Sequence, residues 1–158
     1  MSRHQRNGRT VLVIDRVLTI PASRPDIEFP LRITPAAAFS EVAGGFKKID
    51  FAGLLTVYIE YVASHPGGLQ PIHFAALEVP FGGVISHRYA RAECNAQLRA
   101  AVELCEFQKV SPREVKVVIH LQADAVRFAR ASQPIPPHIY KPYVNLCQSD
   151  NLESFRLP

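Results

Sequence analysis

The sequence predicts a mixed α/β domain, and three observations carry that expectation. Two apolar runs, Thr10–Ile14 and Pro71–Val79, read as buried strands. Apolar residues at helical spacing lie between and after them, first at Phe51, Leu54, Leu55, Tyr58 and Val62, then at Cys94, Leu98, Ala101, Val102 and Cys105. The length, 158 residues, is that of one domain, and strands alternating with helices make a layered α/β architecture.

The elements follow in order. Thr10–Ile14 is short, β-branched and apolar, and ends at the carboxylate of Asp15. Asp26–Ile33 alternates apolar Ile27, Phe29, Leu31 and Ile33 with polar Asp26, Glu28 and Arg32, the pattern of a half-exposed strand; Pro30 places it at an edge, because proline cannot donate to a ladder. A helix is predicted between Lys47 and Ser64, stopped by His65–Gly68. The strand Pro71–Val79 ends beside a second carboxylate, Glu78, and Pro80–Gly83 turns the chain. Ser86 then caps a predicted helix running to about Phe107. In Ser111-Pro112-Arg113-Glu114, the serine, the proline one residue on and the glutamate form a capping box, which predicts a helix from 112 toward Ala131; Val115–Leu121 also fits a strand. Residues 1–132 are the expected folded domain. Residues 133–158 hold prolines 134, 136, 137, 142 and 158 and no periodicity, so they are expected to form an irregular tail.

Composition excludes several classes. The chain is 47% apolar and 20% charged, which is ordinary for a globular protein in water, and no apolar run approaches the roughly 18 residues of a membrane span. The apolar stretch after the basic start is too short for a signal-peptide core. Three cysteines without close spacing fit neither a disulfide framework nor a zinc cluster, and they point to the cytoplasm. A net charge of +4 permits a polyanion partner.

The chemistry rests on Asp15 and Glu78. Sites in open α/β sheets form beyond the carboxyl ends of strands, and two neighbouring strands would bring these carboxylates together at the rim. A divalent cation would relieve their repulsion, and hard oxygen donors suit Mg²⁺ or Mn²⁺. The plainer alternative is a turn residue and a solvated strand end. Of the basic residues, Arg88 and Arg91 beside His87, with Arg113 and Lys116, are the candidates for phosphate contact; a solvated helix face is the competing reading.

Three segments carry a resemblance. Val11–Asp15, Phe74–Pro80 followed by Phe81-Gly82-Gly83, and Leu104–Glu106 leading into Val110–Lys116 resemble, in order and spacing, the RuvC-like resolvases of the ribonuclease H-like nucleases, phage types included. The resemblance spans Val11 to Lys116. It implies a ribonuclease H-like mixed sheet flanked by helices, with the strands of Asp15 and Glu78 adjacent and parallel. It further implies a Mg²⁺-dependent endodeoxyribonuclease in DNA recombination and repair, bacterial or phage-encoded and cytoplasmic. Such an enzyme would resolve Holliday junctions by two-metal hydrolysis. Asp15 and Glu78 would be the metal ligands, with Asp124 as a third catalytic carboxylate. Branched DNA would be the partner and a homodimer the working state, since a four-way junction presents two equivalent cleavage points. No glycine follows Asp15 closely, none occurs after residue 83, and Arg127 stands where a further acid belongs. These departures motivate the alternative of a truncated or non-catalytic relative, incomplete at its C-terminus, that keeps the fold and DNA binding.

Overall fold

The computed structural model describes residues 8–64, 67–68, 70–92, 94–130 and 147–148. Every regular element within them is a strand: β1 (Arg9–Thr19), β2 (Ile27–Gly45), β3 (Lys48–Ala63), β4 (Ile72–Ser86), β5 (Cys94–Ser111), β6 (Glu114–Arg130) and the two-residue β7 (Cys147–Gln148). One sheet has the order β1-β6-β5 and the other β4-β3-β2-β7, and every pairing is antiparallel. The expected α/β, ribonuclease H-like sheet flanked by helices is therefore overturned. The segments at 47–64, 86–107 and 112–131 read as helices are mostly strand, and the two strands expected to be parallel neighbours lie in different sheets. Of the tail expected over 133–158, only β7 is among the described residues; it pairs with β2 at Arg32 and Ile33.

The segments are misread for different physical reasons. β3 buries Ile49, Phe51, Gly53, Leu55, Val57, Ile59 and Tyr61 on one face, a strict period of two. Its other face is also partly apolar, with Leu54 and Tyr58, so mixing the two faces imitates a helical stripe. In β5 the imitation comes from irregularity. Leu98, Ala100 and Val102 face inward, a register shift between Val102 and Leu104 resets the phase, and Cys105 and Phe107 face inward after it. Plain alternation gives the spacing of four from Leu98 to Val102, and the bulge gives the spacing of three from Val102 to Cys105. β6 alternates cleanly, with Val115, Val117, Ile119, Leu121 and Ala123 inside, and it agrees with the strand alternative for Val115–Leu121.

The supposed capping box is a hairpin turn. Ser111 pairs with Glu114 across the loop Pro112-Arg113. The Ser111 hydroxyl donates to the Glu114 carboxylate at 3.0 Å and accepts from the Arg113 N–H at 3.2 Å. The same side chains that cap a helix here close a two-residue loop.

The core lies between the sheets. Central β3 and central β6 both contribute residues with almost no exposure, among them Ile59, Leu55, Ile119 and Leu121. Phe39, Phe51 and Phe81 form an edge-on cluster at centroid separations of 5.5 to 6.4 Å. Tyr61 is fully buried and donates its hydroxyl to the Pro25 carbonyl at 3.0 Å. Among the described residues no helix is long and apolar enough to cross a membrane.

One end of the sandwich is knitted by backbone. The Gly8 N–H donates to the Ser86 carbonyl and its own carbonyl accepts from the Ala125 N–H, both at 2.8 Å, which joins β1 to β4 and β6. The β2–β3 hairpin turns through Phe46 and Lys47, and Lys47 has a left-handed φ of 56°. That conformation disfavours a side-chain-bearing residue. It is held by two clamps, the Lys47 N–H donating to Ala90 at 2.9 Å and the His87 N–H donating to Lys47 at 3.1 Å.

Candidate functional site

The predicted catalytic residues do not converge. Asp15 projects from the outer face of β1 opposite Val118, is largely exposed, and lies 3.6 Å from the Lys116 ammonium. Glu78 lies on the outer face of the other sheet, on β4 opposite Thr56. Asp124 lies on β6 opposite Arg9, whereas Asp15 lies opposite Val118. Those rungs are six residues apart, about 20 Å along a strand. Among the described residues no group of three or more His, Cys, Asp or Glu side chains is placed to hold a metal. The expected carboxylate set thus does not fit a shared Mg²⁺ or Mn²⁺.

Asp124 instead belongs to a polar rung that crosses the whole β1-β6-β5 sheet. It is in register with Arg9 on one side and Arg99 on the other. Arg9 Nε donates to Oδ1 at 2.7 Å, Arg99 Nη2 to Oδ2 at 3.2 Å, and Gln122 Nε2 to Oδ2 at 2.8 Å. The Asp124 side chain is 9% exposed, while those of Arg9 and Arg99 are 42% and 52% exposed. Burial alone would raise the Asp124 carboxyl, but the hydrogen bonds from Gln122, Arg9 and Arg99 and the Arg9 charge outweigh it and hold it below the ordinary Asp value. A depressed folded-state pKa means stability that is present above the unfolded value and lost as pH falls through the folded one. Denaturant midpoints measured from about pH 6 to about pH 2 should therefore fall more for the wild type than for Asp124→Asn.

The predicted nucleic-acid residues split between the two ends of the sandwich. Arg113 is at the far end, where its guanidinium braces the β1–β2 connection: it donates to the carbonyls of Pro21 at 2.7 Å, Arg24 at 3.2 Å and Ile20 at 3.3 Å and pairs with Asp26 at 2.6 Å. Lys116 faces Asp15. Arg32 pairs with Glu60, and the Lys109 ammonium donates to the Glu28 carbonyl at 2.8 Å. Charge at that end is locally balanced.

His87, Arg88 and Arg91 lie at the knitted end. The β-strand pairings bring Arg9, Lys47, Lys48, Arg99 and Arg127 to the same end. Among the described residues the carboxylates there are Asp124, already held by two arginines, Asp50, which pairs with Lys48 at 3.0 Å, and Glu41 further down β2. Glu93 lies outside the described residues. Two aromatic rings stand among the cations: Phe46, 80% exposed with the Lys47 ammonium 5.2 Å from its centroid, and Tyr89, 61% exposed with the Arg88 guanidinium at 4.5 Å. His87 is half-buried beside Tyr89, and its Nδ1 accepts from the Tyr89 N–H at 3.4 Å.

Sequence reasoning missed Phe46, Arg9, Arg99 and Arg127, and it assigned Lys47-Lys48 to a helix start instead of a hairpin tip. The Gly-Gly-Phe-Lys-Lys run was the available signal, since glycines before a polar pair mark a turn. Phe81, which follows Glu78 on β4, is buried in the core. Cys94 and Cys105 lie on β5, not on a helix stripe.

No family model, no curated protein and no solved structure matches the chain.

Proposed function

We propose that this chain is a binding domain that takes the phosphate backbone of a nucleic acid on the basic end of the sandwich and stacks unpaired bases on Phe46 and Tyr89. The observation that carries the reading is the asymmetry between the ends. Cations and carboxylates pair off around Arg113, whereas Arg9, Lys47, Arg88, Arg91, Arg99 and Arg127 gather at the other end, where cations outnumber carboxylates among the described residues. A clustered excess of cations gains affinity by releasing counterions from phosphates, irrespective of sequence. Exposed rings between the cations suit single strands or the unpaired nucleotides of a branch, because any base offers a face for stacking. The reading keeps the nucleic-acid partner expected from the sequence without the metal-dependent chemistry.

The test is fluorescence anisotropy with a labelled single-stranded oligonucleotide, a duplex and a four-way junction, in EDTA. Binding should survive EDTA, favour the single strand over the duplex, and weaken linearly on a log–log plot against salt. The triple substitution Lys47→Gln, Arg88→Gln, Arg91→Gln should flatten that slope by about 2, at roughly 0.7 for each phosphate of a single strand that is no longer neutralised. Binding that ignores salt, or a triple variant equal to the wild type, would sink the reading.

A further inference from the structure

We infer that Asp124 is a positioning residue: it fixes Arg9 and Arg99 as a pincer for one phosphate group on the outer face of the β1-β6-β5 sheet. The inference rests on the proposed nucleic-acid reading and names one of its contact points. Both carboxylate oxygens are occupied, Oδ1 by Arg9 and Oδ2 by Arg99 and Gln122, and the carboxylate is largely covered while the two arginines are half-exposed. One negative charge between two guanidiniums leaves one positive charge uncompensated. Arg9 spends Nε on Asp124 and Arg99 spends one terminal nitrogen, so other N–H donors of each fork remain for an oxyanion above the rung.

The rung is also built to hold still. Its three residues sit in register on three hydrogen-bonded strands, so the arginines converge from both flanks onto a fixed central carboxylate. Orientation set before binding lowers the ordering cost when a ligand arrives. The required group is a phosphate oxyanion. A nucleic-acid phosphodiester and free inorganic phosphate share that chemistry, and competition by inorganic phosphate separates them: a free-phosphate site is emptied by millimolar phosphate, whereas an oligonucleotide held by the whole basic end is not.

Asp124→Asn gives opposite signs for the two explanations of this patch. Removing a carboxylate from a purely Coulombic patch tightens oligonucleotide binding. If Asp124 positions the arginines, the same change weakens binding by about tenfold although a negative charge has gone, because an amide holds the forks less firmly than a carboxylate. Arg9→Lys and Arg99→Lys keep the charge and lose the planar fork, so each should weaken binding by a similar factor. These lysine variants carry the test should Asp124→Asn fail to fold, with circular dichroism and thermal melts reporting the fold of all three. Tighter or unchanged binding in Asp124→Asn overturns the inference, as do lysine variants equal to the wild type. If those results occur while the Lys47, Arg88, Arg91 triple variant still loses affinity, the nucleic-acid reading stands and the positioning role alone falls. A wild type that binds no oligonucleotide brings down both, and displacement by millimolar phosphate overturns the nucleic-acid phosphate as the ligand of the rung.

Discussion

Gly53→Val should destabilise the protein by about 3 kcal/mol or more, at the upper end of what overpacking a core costs. Gly53 is at an inward position of β3, surrounded by the Phe39, Phe51 and Phe81 rings. A Cβ built there collides with the Ala38 carbonyl oxygen and with the edge of the Phe81 ring. The carbonyl belongs to β2, paired with β3 at this position, so it cannot rotate away as a flexible side chain would. Either the β2–β3 pairing opens locally or the aromatic cluster is displaced. Ala52→Val, one residue earlier and on the outer face, is the matched control, and it should change stability by less than about 0.5 kcal/mol. Urea denaturation of the two variants measures the difference. A wild-type midpoint for Gly53→Val would show that the β2–β3 pairing or the aromatic cluster is wrongly placed.

Val117→Lys should unfold the chain, whereas Val118→Lys should be tolerated. Val117 is fully buried on central β6, between Arg16 and Phe107 on the flanking strands. An ammonium there would lose its hydration without a carboxylate to replace it, a cost of several kcal/mol and comparable to the whole stability of a domain this size. Val118 points to the outer face and is flanked on its rung by Asp15 and Glu106. A lysine at that site gains two cross-strand carboxylate neighbours, each worth a few tenths of a kcal/mol. The pair of variants tests the inward–outward alternation of β6 at this point, because successive residues of a strand take opposite faces. Circular dichroism and urea titration of the two proteins give the answer, and equal behaviour would count against β6.

The strands legible in the sequence are those in which one face is plainly polar or the run is short and wholly apolar. Ile27, Phe29, Leu31 and Ile33 alternate with charge, and Thr10–Ile14 and Pro71–Val79 are compact β-branched or apolar runs; the structure extends all three. Helices are misread where the period of two is hidden. β3 hides it by carrying Leu54 and Tyr58 on the outside, and β5 hides it by a bulge. At Ser111–Glu114 the sequence does announce the local hydrogen-bonding chemistry, but not the backbone that uses it, because helix caps and tight turns employ the same side chains. The candidate site is half legible. His87, Arg88 and Arg91 are close in sequence, but Arg9 and Arg99 join them only through strand pairing across distances that no local pattern encodes.

The two sheets also differ in when they can be assembled. β2, β3 and β4 are consecutive and pair in chain order, so their sheet can form while synthesis is still under way. β1 and β5 both depend on β6 for their ladders, and β6 is the last of the long strands. A nascent chain therefore carries β1 unpaired from the time it emerges until Glu114–Arg130 has left the ribosome. The exposed Val11, Val13 and Val17 ride on that strand throughout the wait, a hazard for edge-to-edge aggregation. A chain stopped before Glu114 would have the three long strands of one sheet and two orphaned strands, and the half of the sandwich that holds Arg9, Asp124 and Arg99 would have no ladder to assemble on.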